Sequence, residues 1–268
     1  MLQPVPAAPE AAPKAPASTP AAAPSTAPAS PGSASTVTPP AAAEKKEKIK
    51  AEPKLAITVD SSEAEDLAPW GEKAKALCEL WYPKIIAELD SEGYKPQETM
   101  RIVFKRNMAA PAAAGRDEIS VSAPYIRGHT HDLGMMVHEL THIVQAYPGQ
   151  KEDLGWLTEG IADYIRFWKF EPQVRQNQID VKKASYKDAY RTAAAFLGWM
   201  SKAYDPAIVN KLNAKLRAGN ADATIFNELT GKSVDELWAE FVKAGAPSSP
   251  EATEKTEKME KTKKTEKR

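Results

Sequence analysis

Apolar residues recur at helical spacing across residues 63–89, where Ala74, Leu77, Leu80, Trp81, Ile85, Ile86 and Leu89 predict one amphipathic helix. Pro83 lies inside it and predicts a kink or a division, and Gly93 follows its end. Before it, residues 55–59 read as a short strand. After it, Ile102, Val103 and Phe104 mark a second strand over residues 100–105. Residues 111–115 read as a loop. Residues 118–126 alternate, with Ile119, Val121 and Tyr125 as the β-formers, and predict a third strand.

The pattern then turns helical, over residues 131–147, 157–170, 186–204 and 207–216. Pro148 and Gly149 stop the first of these, and a capping box of Ser233 and Glu236 opens a last helix through Val242. Strands come mostly first and helices mostly after. The expected class is α+β, mainly helical, with a short antiparallel sheet followed by a helical region.

Composition divides the chain. Eleven of the 22 prolines lie in the first 40 residues, among Ala, Ser and Thr. Such a segment buries too little apolar surface to offset its ordering entropy. Residues 251–268 are mostly Glu, Lys and Thr, with no apolar face. The expected division is a Pro/Ala-rich linker over residues 1–54, one globular domain over 55–246, and a Lys/Glu-rich tail over 247–268. The 36 basic and 36 acidic residues cancel, which argues against a nucleic-acid partner. Cys78, the only cysteine, excludes an internal disulfide and a CxxC metal site, and its apolar neighbours predict burial. No stretch is long and apolar enough to span a membrane. Residues 1–20 lack the basic start and apolar core of a secretory signal. The Pro/Ala-rich lead nevertheless looks like the tether of an exported bacterial protein, so a secreted or cell-envelope location is expected.

The chemistry concentrates in His138-Glu139-Leu140-Thr141-His142. Two histidines four apart on a helix lie on one face, about 40° and one turn apart, and can bind one zinc ion. Glu139 then stands beside the metal, able to take a proton from zinc-bound water and pass it to a leaving amine. Leu133, Met136, Val137, Leu140, Ile143 and Val144 surround the motif with apolar residues, and two buried histidines without a metal would be costly.

A third ligand is needed. His129 and His131 lie upstream and no histidine lies downstream, so a later carboxylate is expected. Glu152, Asp153, Glu159 and Asp163 are the candidates. Glu159 and Asp163 share a helix face in a mostly apolar run. We assign Glu159 to zinc and Asp163 to the free ring N–H of a ligand histidine, with Gly160 allowing close approach of the two helices. An oxyanion donor is also expected. Tyr186 and Tyr190 share a face, and Tyr147, Tyr164, His129 and His131 compete with them. The alternating strand before the motif, taken as a sheet edge, suits an extended peptide held by main-chain pairing.

Four ordered blocks carry a resemblance. They are Val137 through Gln145, Gly155 through Arg166, Tyr186 through Trp199, and Gly231 through Trp238. From about Leu55 to Gly245 the chain resembles the basic secretory protein family, peptidases of plants and bacteria with a gluzincin-like metal site. The resemblance implies a zincin-like fold and a secreted zinc peptidase acting on peptides or proteins; a monomer is expected. It implies His138, His142 and Glu159 as ligands, Glu139 as base, and Tyr190 among the tyrosines. Plant members are strongly basic whereas this chain is neutral, which puts in doubt any role resting on a cationic surface. The rival reading is a catalytically silent zincin-like domain that binds at the cell wall or in the extracellular space.

Overall fold

The computed structural model describes residues 53–149, 152–174, 179–181, 183–219 and 221–245. The Pro/Ala-rich lead and the Lys/Glu-rich tail, on which two of the sequence readings fall, lie outside the described residues.

The chain begins β1 (Ala56–Asp60), α1 (Ala68–Glu88) and β2 (Thr99–Lys105). It continues through β3 (Ala112–Ala114), β4 (Glu118–Ser122) and a short α2 (Ala123–Gly128). The class is α+β and mainly helical. The sheet, however, is mixed, in the order β1-β2-β4-β3. β1 and β4 both run parallel to β2, and only β3 and β4 are antiparallel. The expected antiparallel sheet is thus corrected. A helix of 21 residues joins β1 to β2, and a connection of that kind returns the chain to a parallel neighbour. The central strand β2 has neighbours on both sides, and its contiguous Ile102-Val103-Phe104 is buried throughout.

Two further expectations change. Residues 111–115 supply the edge strand β3 rather than a loop. The strand read over 118–126 ends at Ser122, inside the sheet, because the Ser122 hydroxyl accepts from the Tyr125 amide and Pro124 opens α2. α1 passes through Pro83 as one element. It lies close on the sheet, since a Cβ at Gly71 would stand 2.7 Å from Val59 and 3.0 Å from Phe104.

α3 (Gly134–Gln145) packs against α1 and is buried on most of its surface. It ends at Ala146, whose φ of 45° is left-handed. α4 (Gly155–Tyr164) continues into a π-helical turn over Ile165–Phe170. The helix expected over 186–204 is interrupted. A capped 3-10 turn, Tyr186–Asp188, meets a break at Ala189, and α5 begins at Tyr190 (Tyr190–Ala203). α4 and α5 form the closest helix pair. A Cβ on Gly160 would stand 2.6 Å from the Ala193 methyl, so Gly160 serves the contact with α5 and not, as expected, the contact with the motif helix.

α6 (Ile208–Arg217), α7 (Thr224–Thr230) and α8 (Val234–Ala244) complete the fold, α8 opening with the predicted capping box. One polar stripe on α6 fixes the end of α3. Asn213 and Arg217 both donate to the Leu89 carbonyl at the end of α1, each at 2.8 Å. Arg217 also donates to the carbonyls of Val144 (2.8 Å) and Gln145 (3.2 Å). A cation on the last carbonyls of a helix satisfies groups that have no partner within it and favours its dipole. Cys78 is fully buried, which pushes its thiol up to about 12 and leaves it inert.

Candidate metal centre

α3 directs His138 and His142 to one side, and α4 brings Glu159 against them. His138 Nε2 stands 3.1 Å from His142 Nε2 and 3.2 Å from Glu159 Oε2, and His142 Nε2 is 3.4 Å from the same oxygen. These residues form a group that can hold a metal ion. Four ligands at the usual zinc distances of about 2.0–2.1 Å would lie about 3.3 Å apart along a tetrahedron's edges. Two imidazoles and a carboxylate also suit a borderline cation. The residues present therefore fit such an ion.

Each histidine is oriented through its other nitrogen. His138 Nδ1 lies 2.7 Å from Asp163 Oδ1, one turn beyond Glu159 on α4. His142 Nδ1 lies 2.7 Å from Gln145 Oε1. The Gln145 amide nitrogen donates to the Thr158 carbonyl at 3.0 Å, which turns its oxygen toward His142. His142 Nδ1 must then carry the proton, leaving Nε2 with a lone pair facing the ligand group. Gln145→Leu removes this constraint without removing a ligand. It should weaken metal binding roughly 10–100-fold, measured by competition with a chromophoric chelator, while the helical circular dichroism holds. Unchanged affinity would contradict the role.

Charge follows the same geometry. Burial resists charging His138, but hydrogen bonds with Asp163 and Glu159 outweigh it and hold the ring up to about 9 without a metal. Burial works against the Glu159 carboxylate too, yet the two imidazoles draw it down to about 2. Glu139 is buried and lines the same cleft as the converging group without being one of its members. Burial pushes its carboxyl above the usual range, against the pull of His138 and His142 and a backbone hydrogen bond from Ala114.

That last bond ties the base to the sheet edge. Gly115 N–H donates to Glu118 (2.7 Å) and Ser122 N–H to Pro111 (2.9 Å), so residues 111 and 115 face β4. By alternation Ala112 and Ala114 turn their amides and carbonyls away from it. Both line a cleft of about 920 Å³ that also contains His138, Glu139, His142 and Glu159.

The tyrosines separate. Tyr190 stacks on His138, with centroids 6.2 Å apart and planes 20° apart; it lines the cleft and is 54% exposed. The Glu159 charge, then burial and Asp163, raise its hydroxyl pKa. Ala189 and Tyr190 are both left-handed, at φ 58° and 46°, a costly conformation for residues other than glycine. Tyr186 is elsewhere. Its hydroxyl donates to Asp235 at 2.8 Å within a cluster containing Trp156, Phe196 and Trp238. Tyr147 lines the cleft, but its hydroxyl donates to Asn213. Tyr164, His129 and His131 are absent from the cleft wall, His129 stacking on Tyr125 and Tyr164 on Trp168. Asp153 is exposed, and the Glu152 side chain lies outside the described residues.

Three features were missed in the sequence. Gln145 follows His142 by one helical turn, a spacing that could have marked it. Arg166 donates to Asp132 and Glu171, each at 2.6 Å, and binds the start of α3 to the π turn. A Cβ at Gly134 would stand 2.3 Å from that Glu171 oxygen. The third is the edge strand β3.

A small mixed sheet, a buried helix bearing HExxH and a carboxylate from the next helix define an α+β protein with a side-chain group that could hold a metal ion. Comparison with known families matches residues 84–241 to the one described as peptidase of plants and bacteria. The chain belongs to that family. No curated protein and no solved structure matches it. No helix among the described residues is long and apolar enough to cross a membrane.

Proposed function

We propose that the chain is a zinc-dependent peptidase acting on extended peptides. The observation that carries this is the convergence of His138, His142 and Glu159 to 3.1–3.4 Å beside the buried Glu139 carboxylate, in a chain of a peptidase family. His138, His142 and Glu159 would hold the ion, with Asp163 and Gln145 orienting the two rings. When bound, zinc would supply a Lewis acid that polarises the scissile carbonyl and acidifies water.

The protein's own groups do the rest. Glu139, kept in register by the Ala114 amide, accepts a proton from the attacking water and returns it to the leaving amine. Its raised pKa suits a group that must take and give a proton. The Tyr190 hydroxyl, next to Glu159 and His138, donates to the developing oxyanion. Along β3, the Ala112 N–H and C=O and the Ala114 C=O are free to pair with the main chain of an extended peptide. This transfers to β3 the role first expected of the strand at 118–126. The Pro/Ala-rich lead supports an exported or cell-envelope location and the division at 54, and the composition of the Lys/Glu-rich tail supports the division at 246.

Digestion of a mixed peptide library by the full chain, read by mass spectrometry, tests the reading. New termini should form, vanish with a chelator and return with zinc. The silent-domain reading predicts no new termini under any of these conditions.

A further inference from the structure

The cleft wall beyond Tyr190 carries a charge that the catalytic account leaves unused. Two arginines pack on Phe167, which is 2% exposed, with guanidinium carbons 4.7 Å (Arg166) and 4.5 Å (Arg191) from its ring centroid. Their situations differ. Arg166 is committed, donating to Asp132 and Glu171. Arg191 is exposed, lines the cleft, and has no ion pair among the described residues.

The anions nearby are largely spoken for. Asp132 also accepts from the Tyr125 hydroxyl at 2.8 Å, and Asp163 holds His138. Asp188 caps its own turn by accepting from the Ser185 amide at 2.7 Å. A guanidinium resting on an aromatic face keeps its edge free for a carboxylate, which it can take through two hydrogen bonds. Arg191 follows Tyr190 directly and lines the same cleft as His138 and Glu139, and an extended peptide advances about 3.3 Å per residue, so neighbouring substrate positions fall within reach of this wall.

Building on the peptidase reading, we infer that Arg191 is a specificity-determining residue that recognises a substrate carboxylate beside the bond to be cut. An acidic side chain and a free C-terminus offer the same chemistry. Phe167 holds the guanidinium in place from below.

The test uses the full-length zinc-loaded chain and peptide pairs differing by Glu or Gln at one position, each with a free or an amidated C-terminus. Wild type should favour one carboxylate by roughly five- to tenfold in kcat/KM. Loss on amidation assigns it to the terminus, and loss on changing Glu to Gln assigns it to a side chain. Arg191→Ala should collapse the preference to about one, and Arg191→Glu should invert it toward the uncharged member of the pair, which a merely structural arginine would not do. The same pairs are bound by the Glu139→Gln protein with and without Arg191→Ala, so the preference is read as a Kd ratio even without turnover. A preference that survives Arg191→Ala, or a wild type with none in either measurement, overturns the inference. Absence of all hydrolysis with the Kd preference intact would instead count against the peptidase reading alone.

Discussion

Glu139→Gln should leave zinc binding intact and lower kcat by a factor of about 10²–10⁴. The substitution keeps the shape of the side chain and an oxygen for the Ala114 amide, so the link between α3 and β3 survives. Glu139 is not among the three residues that could hold a metal ion, so that group is unaltered. What is lost is a basic oxygen able to carry a proton from water to the leaving amine. KM should change little, because the proposed peptide contacts along β3 and the cleft wall are untouched by the substitution. Steady-state kinetics on one peptide, with zinc content measured on the same preparations, check this. Undiminished hydrolysis would remove Glu139 from the mechanism.

The second large effect is the pH dependence of metal binding. Without metal, His138 holds its proton up to about 9, against 6.5 for an ordinary histidine. Burial opposes that charge, and Asp163 and Glu159 more than compensate. A folded-state pKa raised in this way stabilises the metal-free protein fully below about 6.5, and the contribution fades as pH rises to about 9. Zinc needs the same nitrogen bare, so binding expels a proton throughout this window. Zinc affinity should rise with pH by up to about tenfold per unit and level off above about 9. The gain in Tm on adding zinc should widen in the same direction. Competition titrations and thermal scans across the window measure both. A flat profile would mean that His138 is not a ligand.

The sequence disclosed which residues group together better than it disclosed the scaffold. His138, Glu139 and His142 are legible because a helix converts a four-residue spacing into a shared face, and α3 keeps that spacing. Glu159 and Asp163 are legible for the same reason, as acids one turn apart in an apolar run. β3 was not legible. Its three alanines carry no β signal, and what makes it a strand is pairing with β4, a contact between residues 112–114 and 119–121. Sheet direction was hidden likewise, since it depends on where α1 returns the chain. Gly160 was seen as a close-approach site, but sequence alone could not say which helix approaches. The break at Ala189 escaped too, because alanine ordinarily continues a helix and no residue type there signals a positive φ. Arg217 acts through partners 73 and 128 residues away and leaves no pattern along the chain, whereas Gln145 carries the helical-turn spacing from His142 but owes its role to an amide orientation that the spacing does not give.

Titrating metal-free full-length protein with zinc, while following bound metal and peptide hydrolysis on the same sample, tests the central claim most directly. Hydrolysis should rise in step with bound zinc and stop rising at one ion per chain, and the Glu159→Ala protein should show neither the tight binding nor the activity. Hydrolysis already complete before zinc is bound, or tight zinc binding undiminished by Glu159→Ala, would contradict it.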